Sequence, residues 1–415
     1  MSDRRSRRGA ASVPGASGNP SGSNADAAIA DALGLDDRPG TAQQANEAAV
    51  APSETPDDRF LDDHDDEKSH VSAMLRAVCL GESVRGTTAP NPWVGAVLVT
   101  ADGDEFEGAT EPPPGRHAEI VALDAARESG ADLAQATLYT TLEPCSHTGR
   151  TPPCVEAIID ARIARVCIGV ADPDPNVSGR GTLALRSAGI EVIEGLGDVV
   201  ASLGPYLHQR RTDKPWVVLK LAATLDGRIG APDGTSQWIT SAEARADAHA
   251  LRARCDAVLI GAGTVRADNP SLTVRDAPGT DPRRFVLGSA PSDAKVHPCT
   301  EVSGPLPAVL EDLAAEGVVE LLVEGGAHVA GEFHRSGLVD EYVVYLAPAL
   351  AGGADSLPML AGLGAPTLAE FWRGHISEFH RVGPDLRITL RPVEHCDGPP
   401  ASTVASDGRS DSQAH

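Results

Sequence analysis

Apolar residues along this chain fall in short blocks whose period switches between helix-like and strand-like spacing. Val71–Leu80 repeats with a helical period, and the run Val94–Thr100 reads as a buried strand. Ala118–Arg127 is again helical, Thr137–Thr141 is a strand, Val155–Arg162 a helix and Arg165–Val170 a strand. The alternation resumes at Trp216–Ala222 (strand) and Ala242–Ala253 (helix), followed by strands at Ala257–Ile260 and Arg284–Leu287. A helix at Ala308–Glu316, a strand at Val319–Val323, a helix at Ala327–Ser336 and a strand at Tyr342–Leu346 complete the pattern. Alternating strands and helices predict layered α/β structure. A chain of 415 residues exceeds one ordinary core, so two domains are expected. The polar segment Arg210-Arg-Thr-Asp-Lys-Pro215 is the expected linker. It divides the chain into domains at 68–212 and 213–393.

The two ends lack this pattern. Gly9–Asn24 is rich in Gly, Ser, Ala and Pro, and Asp57–Glu67 adds an acidic cluster. Too little apolar surface is available there to offset the entropy of ordering. Residues 1–67 and 394–415 are therefore expected to be disordered, with at most a short helix near Ala27–Leu35.

Charge narrows the function classes. The formal net charge is −24 and aromatic residues make up 3%, which argues against nucleic acid or an anionic membrane as partner. No apolar run is long enough to span a bilayer. Seven cysteines, an odd number spread over the chain with no secretory segment ahead of them, read as reduced thiols in the cytoplasm.

Four residues carry the clearest chemistry. His117-Ala-Glu119 opens a helical stretch, Leu142-Glu-Pro-Cys145 follows a strand, and Cys154 opens the next helix. One imidazole and two thiolates form a three-ligand zinc set that leaves a fourth position for water. Zinc lowers the pKa of bound water, and helix N-termini favour thiolate over thiol. Glu119 lies two residues from His117 and so off its helix face, placed to act as general base and then acid. The order His-x-Glu, Pro-Cys, Cys is that of zinc deaminases. Their usual two-residue gap between cysteines is here the eight residues Ser146–Pro153. A closed structural zinc site, with His147 as fourth ligand, is the alternative.

The second block carries two glycine turns after strands, Ile260-Gly-Ala-Gly-Thr264 and Glu324–Gly331. They suit phosphate approach to a helix N-terminus or, equally, tight packing of helix on strand. The candidate cations are Lys220, Arg252 and Arg275. Lys220 lies inside an apolar strand, where an unpaired ammonium is costly. Arg252 alternatively belongs to a solvated helix face.

The segment Pro144-Cys-Ser-His-Thr-Gly-Arg-Thr-Pro-Pro-Cys154 resembles the bifunctional deaminase/reductase family of riboflavin biosynthesis. So do Pro90-Asn-Pro-Trp-Val-Gly95, Asp172–Gly181, Leu219–Arg228, Ser236–Thr240, Ala267–Arg275 and Val323–Gly326. The resemblance spans about Lys68 to Pro392 and omits both ends. It implies a cytidine-deaminase-like three-layer domain followed by a dihydrofolate-reductase-like domain. The activities implied are hydrolytic deamination at C2 of a diaminopyrimidinone ribosylamine phosphate, then NADPH-dependent reduction of ribosyl to ribityl.

By that resemblance His117, Cys145 and Cys154 hold Zn2+, Glu119 moves protons and Asn91 meets the pyrimidine, a turn role being its alternative. His147 and Arg150 shape the pocket or meet the phosphate. NADPH is expected against Ala222, Trp238, Thr264, Asp268, Ser289 and the turn Gly325, Gly326, Ala327, His328, Val329, Ala330 and Gly331. Substrate is expected against Lys220, Ser236, Arg252, Leu272, Arg275 and Glu324, with Asp268 or Glu324 handling the proton. A homo-oligomer is implied by resemblance alone. The chain departs from the family in a shorter stretch between Ser289 and Leu321 and in Pro114-Gly-Arg ahead of His117. Two other readings compete: a nucleobase or nucleic-acid deaminase with an appended domain, and a protein whose reductase half only binds ligand.

Overall fold

The computed structural model describes residues 59–147, 152–174, 177–197 and 199–393. The helix expected near Ala27–Leu35, the tail from Glu394 and Arg150 lie outside the described residues. The described residues, from Arg59 to Val393, belong to one compact unit.

The first sheet is built from β1 (Gly95–Val99), β2 (Glu105–Ala109), β3 (Thr137–Leu142), β4 (Arg165–Val170) and β5 (Glu191–Glu194). Its order is β2-β1-β3-β4-β5. The pairs of β1 with β2 and β3 are antiparallel, and β3–β4 and β4–β5 are parallel. Helices α1 (Arg59–Ser83), α2 (Ala118–Ser129), α3 (Cys154–Ala161), α4 (Arg180–Ser187) and α5 (Val200–Thr212) complete this half. Met74, Ala77, Val97, Leu98, Leu123, Leu138, Ile158 and Leu203 share one buried core. Each large apolar side chain buried there contributes about 1.5–3 kcal/mol. Gly95 lets α1 lie against the sheet, since a Cβ at that position would stand 1.8 Å from the Ala77 carbonyl oxygen.

Two expectations are corrected here. Helix α1 begins at Arg59, inside the stretch expected to be disordered. The expected linker is also too long: Arg210, Arg211 and Thr212 are the last turn of α5. A polar run in the last turn of a helix reads like a loop, and Pro205 within α5 interrupts the helical signal. Only residues 213–215 separate α5 from the next strand.

The second sheet is larger. Its strands are β6 (Trp216–Thr224), β8 (Ala257–Gly261), β9 (Arg283–Leu287), β10 (Thr300–Val302), β11 (Glu320–Val323), β12 (Glu341–Ala347), β14 (Gly374–Val382) and β15 (Asp385–Pro392). The order is β10-β9-β8-β11-β6-β12-β15-β14, while β7 (Arg228–Gly230) and β13 (Leu357–Pro358) pair separately. The pairings from β10 to β12 are parallel, and the last two are antiparallel. Alternation along β6 and β8 sends Val217, Leu219 and Leu259 to one face and Val218, Val258 and Ile260 to the other. Helices α8 (Leu306–Ala315) and α9 (Ala327–Arg335) cover the first face. Helices α6 (Ala242–Arg254) and α7 (Ala262–Asp268) cover the second. The stretch between Ser289 and Leu321, read as loop-like near its start, still supplies β10 and α8.

Arg85, just beyond α1, reaches Glu320 at the start of β11 at 3.0 Å and Glu82 at 3.2 Å. Glu320 also meets Arg254 at 3.2 Å. The guanidinium of Arg85 lies 4.6 Å from the Trp93 ring centroid, beside the Pro90–Pro92 loop.

Candidate active sites

Cys145 lies in the loop leaving β3, Cys154 is the first residue of α3, and His117 is the N-cap of α2. The fold thus brings three ligand types from three segments to one point. His117 Nδ1 stands 3.5 Å from Cys145 Sγ and 3.3 Å from Cys154 Sγ. All three donor atoms lie within 4.8 Å of one another, the one such His, Cys, Asp or Glu cluster among the described residues. Zn–S and Zn–N bonds of about 2.3 and 2.0–2.1 Å in a tetrahedron put N and S about 3.5 Å apart, so the donor set fits zinc. His147 lines the same cavity but joins no such cluster, which leaves the closed structural site without a fourth donor among the described residues.

The α3 N-terminus contributes directly: the Cys154 backbone N–H donates to Cys145 Sγ at 3.3 Å. The Cys154 thiol, then His117 and this N–H, hold Cys145 well below the ordinary thiol range despite its burial. Glu119, in the first turn of α2, is 4% exposed. Burial pushes its carboxyl up to about 7, against the lowering effect of His117. Such a group takes and returns a proton near neutrality.

His117, Glu119 and Cys145 open on a cavity of about 210 Å3, which Asn91, Val94, Asp172, Asp174, Val177, Tyr206 and Arg210 also line. Asn91 borders the cavity, and its N–H donates to the Thr88 carbonyl at 2.9 Å within a turn.

Glu143, absent from the sequence-based candidates, anchors one wall. Its buried carboxylate accepts the backbone N–H groups of Asp172, Gly179, Gly181 and Thr182 at 3.0–3.3 Å. Gly181 permits this, because a Cβ there would fall 2.2 Å from the Pro144 carbonyl oxygen. Tyr206 and Arg210 were also missed. Leu203, Tyr206, Leu207 and Arg210 fall at i, i+3, i+4 and i+7, the signal that would have found α5.

In the second half, the sequence candidates gather in smaller groups. Arg252 meets Glu324 Oε1 at 2.8 Å through Nε, and its NH1 donates to the Thr273 carbonyl at 2.7 Å. Lys220 Nζ is 3.8 Å from Glu324 Oε2. Burial alone would push the Glu324 carboxyl up; Arg252 and then Lys220 outweigh it and hold the carboxyl below its ordinary value. Arg252 is therefore a buried ion-pair partner and not a solvated face. Arg275 donates to Ser271 Oγ and Thr273 Oγ1 at 2.5 and 2.9 Å, flanking buried Leu272.

On the cofactor side, Thr264 Oγ1 accepts the Gly326 N–H at 3.1 Å, joining the two glycine turns at the N-termini of α7 and α9. Ser236 donates to Asp268 at 3.3 Å. Ala222 lies on β6. Trp238 is 67% exposed with Arg245 4.5 Å over its ring, and Ser289 is exposed beyond β9. Neither joins the other candidates through a contact seen in this structure.

Metal removal separates the two halves. Chelation is expected to remove about one zinc per chain and to abolish deamination while reduction of the deaminated product continues. Metal analysis with parallel assays checks this; equal loss of both activities would tie the metal to the whole fold.

Residues 67–170 match the cytidine and deoxycytidylate deaminase zinc-binding region, and residues 215–386 match the RibD C-terminal domain. Riboflavin biosynthesis protein RibD of Mycobacterium tuberculosis is 40% identical over 339 residues, covering 78% of this chain and 97% of that one. Its Escherichia coli counterpart is 37% identical over 363 residues, covering 76% and 98%. RibD of Acinetobacter baumannii superposes with a TM-score of 0.74 at 34% identity, covering 79% of this chain and all of that one. A Thermotoga maritima structure, described as a diaminohydroxyphosphoribosylaminopyrimidine deaminase/5-amino-6-(5-phosphoribosylamino)uracil reductase, gives 0.73 at 32% identity with the same coverage. With a zinc-type donor cluster in one half, a reductase-type fold in the other and relatives matched over nearly their whole length, this chain belongs to the RibD family of bifunctional riboflavin-biosynthesis deaminase/reductases.

Proposed function

We propose that this chain deaminates 2,5-diamino-6-ribosylaminopyrimidinone 5′-phosphate at C2 and then reduces the ribosyl side chain to ribityl with NADPH. The observation that carries the reading is buried Glu119 on the same cavity as His117 and Cys145, two members of the three-donor cluster completed by Cys154. We place the domain division at 68–212 and 213–393.

His117, Cys145 and Cys154 hold Zn2+, which activates water at neutral pH. Glu119 takes a proton from the attacking water as its oxygen bonds to C2. It returns that proton to the amino group; ammonia leaves as the C2 carbonyl forms, and the remaining hydroxyl proton passes to the adjacent ring nitrogen. Asn91 orients the pyrimidine.

In the second half NADPH supplies hydride. The turn from Gly325 to Gly331, with Thr264, receives cofactor phosphate at helix N-termini, and Ala222, Trp238, Asp268 and Ser289 complete the cofactor side. Lys220, Ser236, Arg252, Leu272, Arg275 and Glu324 form the substrate side. Two cations hold the Glu324 carboxyl below its ordinary value, and either it or Asp268 handles the proton that accompanies hydride transfer. The substrate is a small molecule and not nucleic acid, and the enzyme works in the cytoplasm as a homo-oligomer. Among the described residues no helix is long and apolar enough to cross a membrane.

The test is an assay of full-length protein with the pyrimidine ribosylamine phosphate, with and without NADPH. Ammonia and the uracil product are expected in both cases, and the ribityl product only with NADPH. No ammonia release would overturn the deaminase reading. Deamination without NADPH oxidation would leave the second half as a binding module.

A further inference from the structure

We propose that Arg210 grips the phosphate of the pyrimidine substrate in the deaminase cavity and sets the preference for phosphorylated over dephosphorylated substrate. The proposal rests on the function assigned above.

The cavity is rich in acid. Glu119, Glu143, Asp172 and Asp174 line it, and Arg210 is the one Lys or Arg side chain among the described lining residues. In a chain of net charge −24, the surrounding field opposes an entering phosphate. A local cation is needed to hold that end of the substrate, beside the His147 and Arg150 that the family resemblance sends to the pocket or the phosphate. The catalytic end of the cavity is already assigned, since Glu119 and the His117, Cys145 and Cys154 donors must face the C2 amino group.

Arg210 is held ready for such a role. It stands in the last turn of α5, one turn beyond Tyr206. The Tyr206 ring backs its guanidinium at 5.1 Å, and the Tyr206 hydroxyl donates to Asp172 Oδ2 at 3.1 Å. The guanidinium closes no ion pair among the described residues, and its Nε is buried with no hydrogen-bond partner. A buried donor left open is costly and is normally satisfied by a partner. A planar guanidinium offers paired donors that match phosphate oxygens. Asp172 and Asp174 attract the guanidinium but close no ion pair with it, Asp172 accepts from Tyr206, and Glu143 is taken up by four backbone N–H groups.

The experiment compares deamination of the pyrimidine ribosylamine phosphate and its phosphatase-treated counterpart by full-length wild type, Arg210→Met and Arg210→Lys. Arg210→Met is expected to lower kcat/KM for the phosphorylated substrate about tenfold or more, mainly through KM. The dephosphorylated substrate should react as it does with wild type, and Arg210→Lys should recover part of the loss. Zinc content and reduction of the deaminated phosphate report on folding and should not change. Equal loss with both substrates, or no loss with either, overturns the assignment while wild-type activity leaves the function intact. If wild type deaminates neither substrate, the functional reading and this assignment fall together.

Discussion

Glu119→Gln is expected to lower the deamination rate by about 10²–10⁴-fold with zinc content and reductase activity unchanged. The amide keeps the shape of the buried carboxyl but can neither take the proton from water nor return one to the leaving amine. Zinc should stay, because Glu119 is not part of the His117, Cys145 and Cys154 donor cluster. Metal analysis and ammonia release measured on the same preparation check both halves of the statement. Deamination at the wild-type rate would remove Glu119 from the mechanism.

The same variant carries a stability signature. Burial raises the Glu119 carboxyl to about 7 in the zinc-free protein. A raised carboxyl favours the fold at low pH, and that contribution is lost as pH rises from the ordinary carboxyl range through about 7. Zinc-free wild type should therefore lose stability relative to Glu119→Gln across that window. Thermal melts at several pH values read the crossing.

The second large effect is expected at Glu324→Leu. Side-chain exposure is 11% for Glu324, 8% for Arg252 and 19% for Lys220. Removing the carboxylate leaves two cations without a counter-charge in a mostly buried place, at a cost of about 3–5 kcal/mol. Denaturant unfolding of the full chain measures it, and reduction should fall in parallel because Lys220 and Arg252 lose their orientation. The pH sign is opposite to that of Glu119. The folded Glu324 carboxyl is held below its ordinary value, so its stabilisation is present above the ordinary carboxyl range and is lost as pH falls through the lowered folded value. A variant within about 0.5 kcal/mol of wild type at neutral pH, the range of ordinary surface changes, would show that the triad does not hold this region together.

Much of the deaminase centre was legible along the chain because its chemistry is local. Helix and strand ends place ligands at predictable points, so His117 at a helix start, Cys145 after a strand and Cys154 at the next helix start could be read from period changes. The reductase half was legible as strands and helices, whereas the partners of its charged residues were not. Whether Arg252 is solvated or buried depends on the neighbour that α6 packs against, and Glu324 lies 72 positions further along the chain.

The residues that escaped sequence reading did so for separate physical reasons. Glu143 acts by accepting N–H groups from a segment about thirty to forty residues away. Tyr206 and Arg210 sit on a helix whose polar end and internal proline imitate a linker. The two antiparallel strands Gly374–Val382 and Asp385–Pro392 were missed because the first is exposed along most of its length and lacks a clear apolar alternation. Sequence by itself determined the element types in the two cores, the zinc-type donor set and its general acid/base partner, since each depends on short-range periodicity and residue chemistry. Only the tertiary structure decided which wall each side chain lines, which carboxylate neutralises which cation, and that Arg210 faces the deaminase cavity. Those outcomes depend on distance in space between residues far apart in the chain, and a one-dimensional pattern carries no measure of that distance.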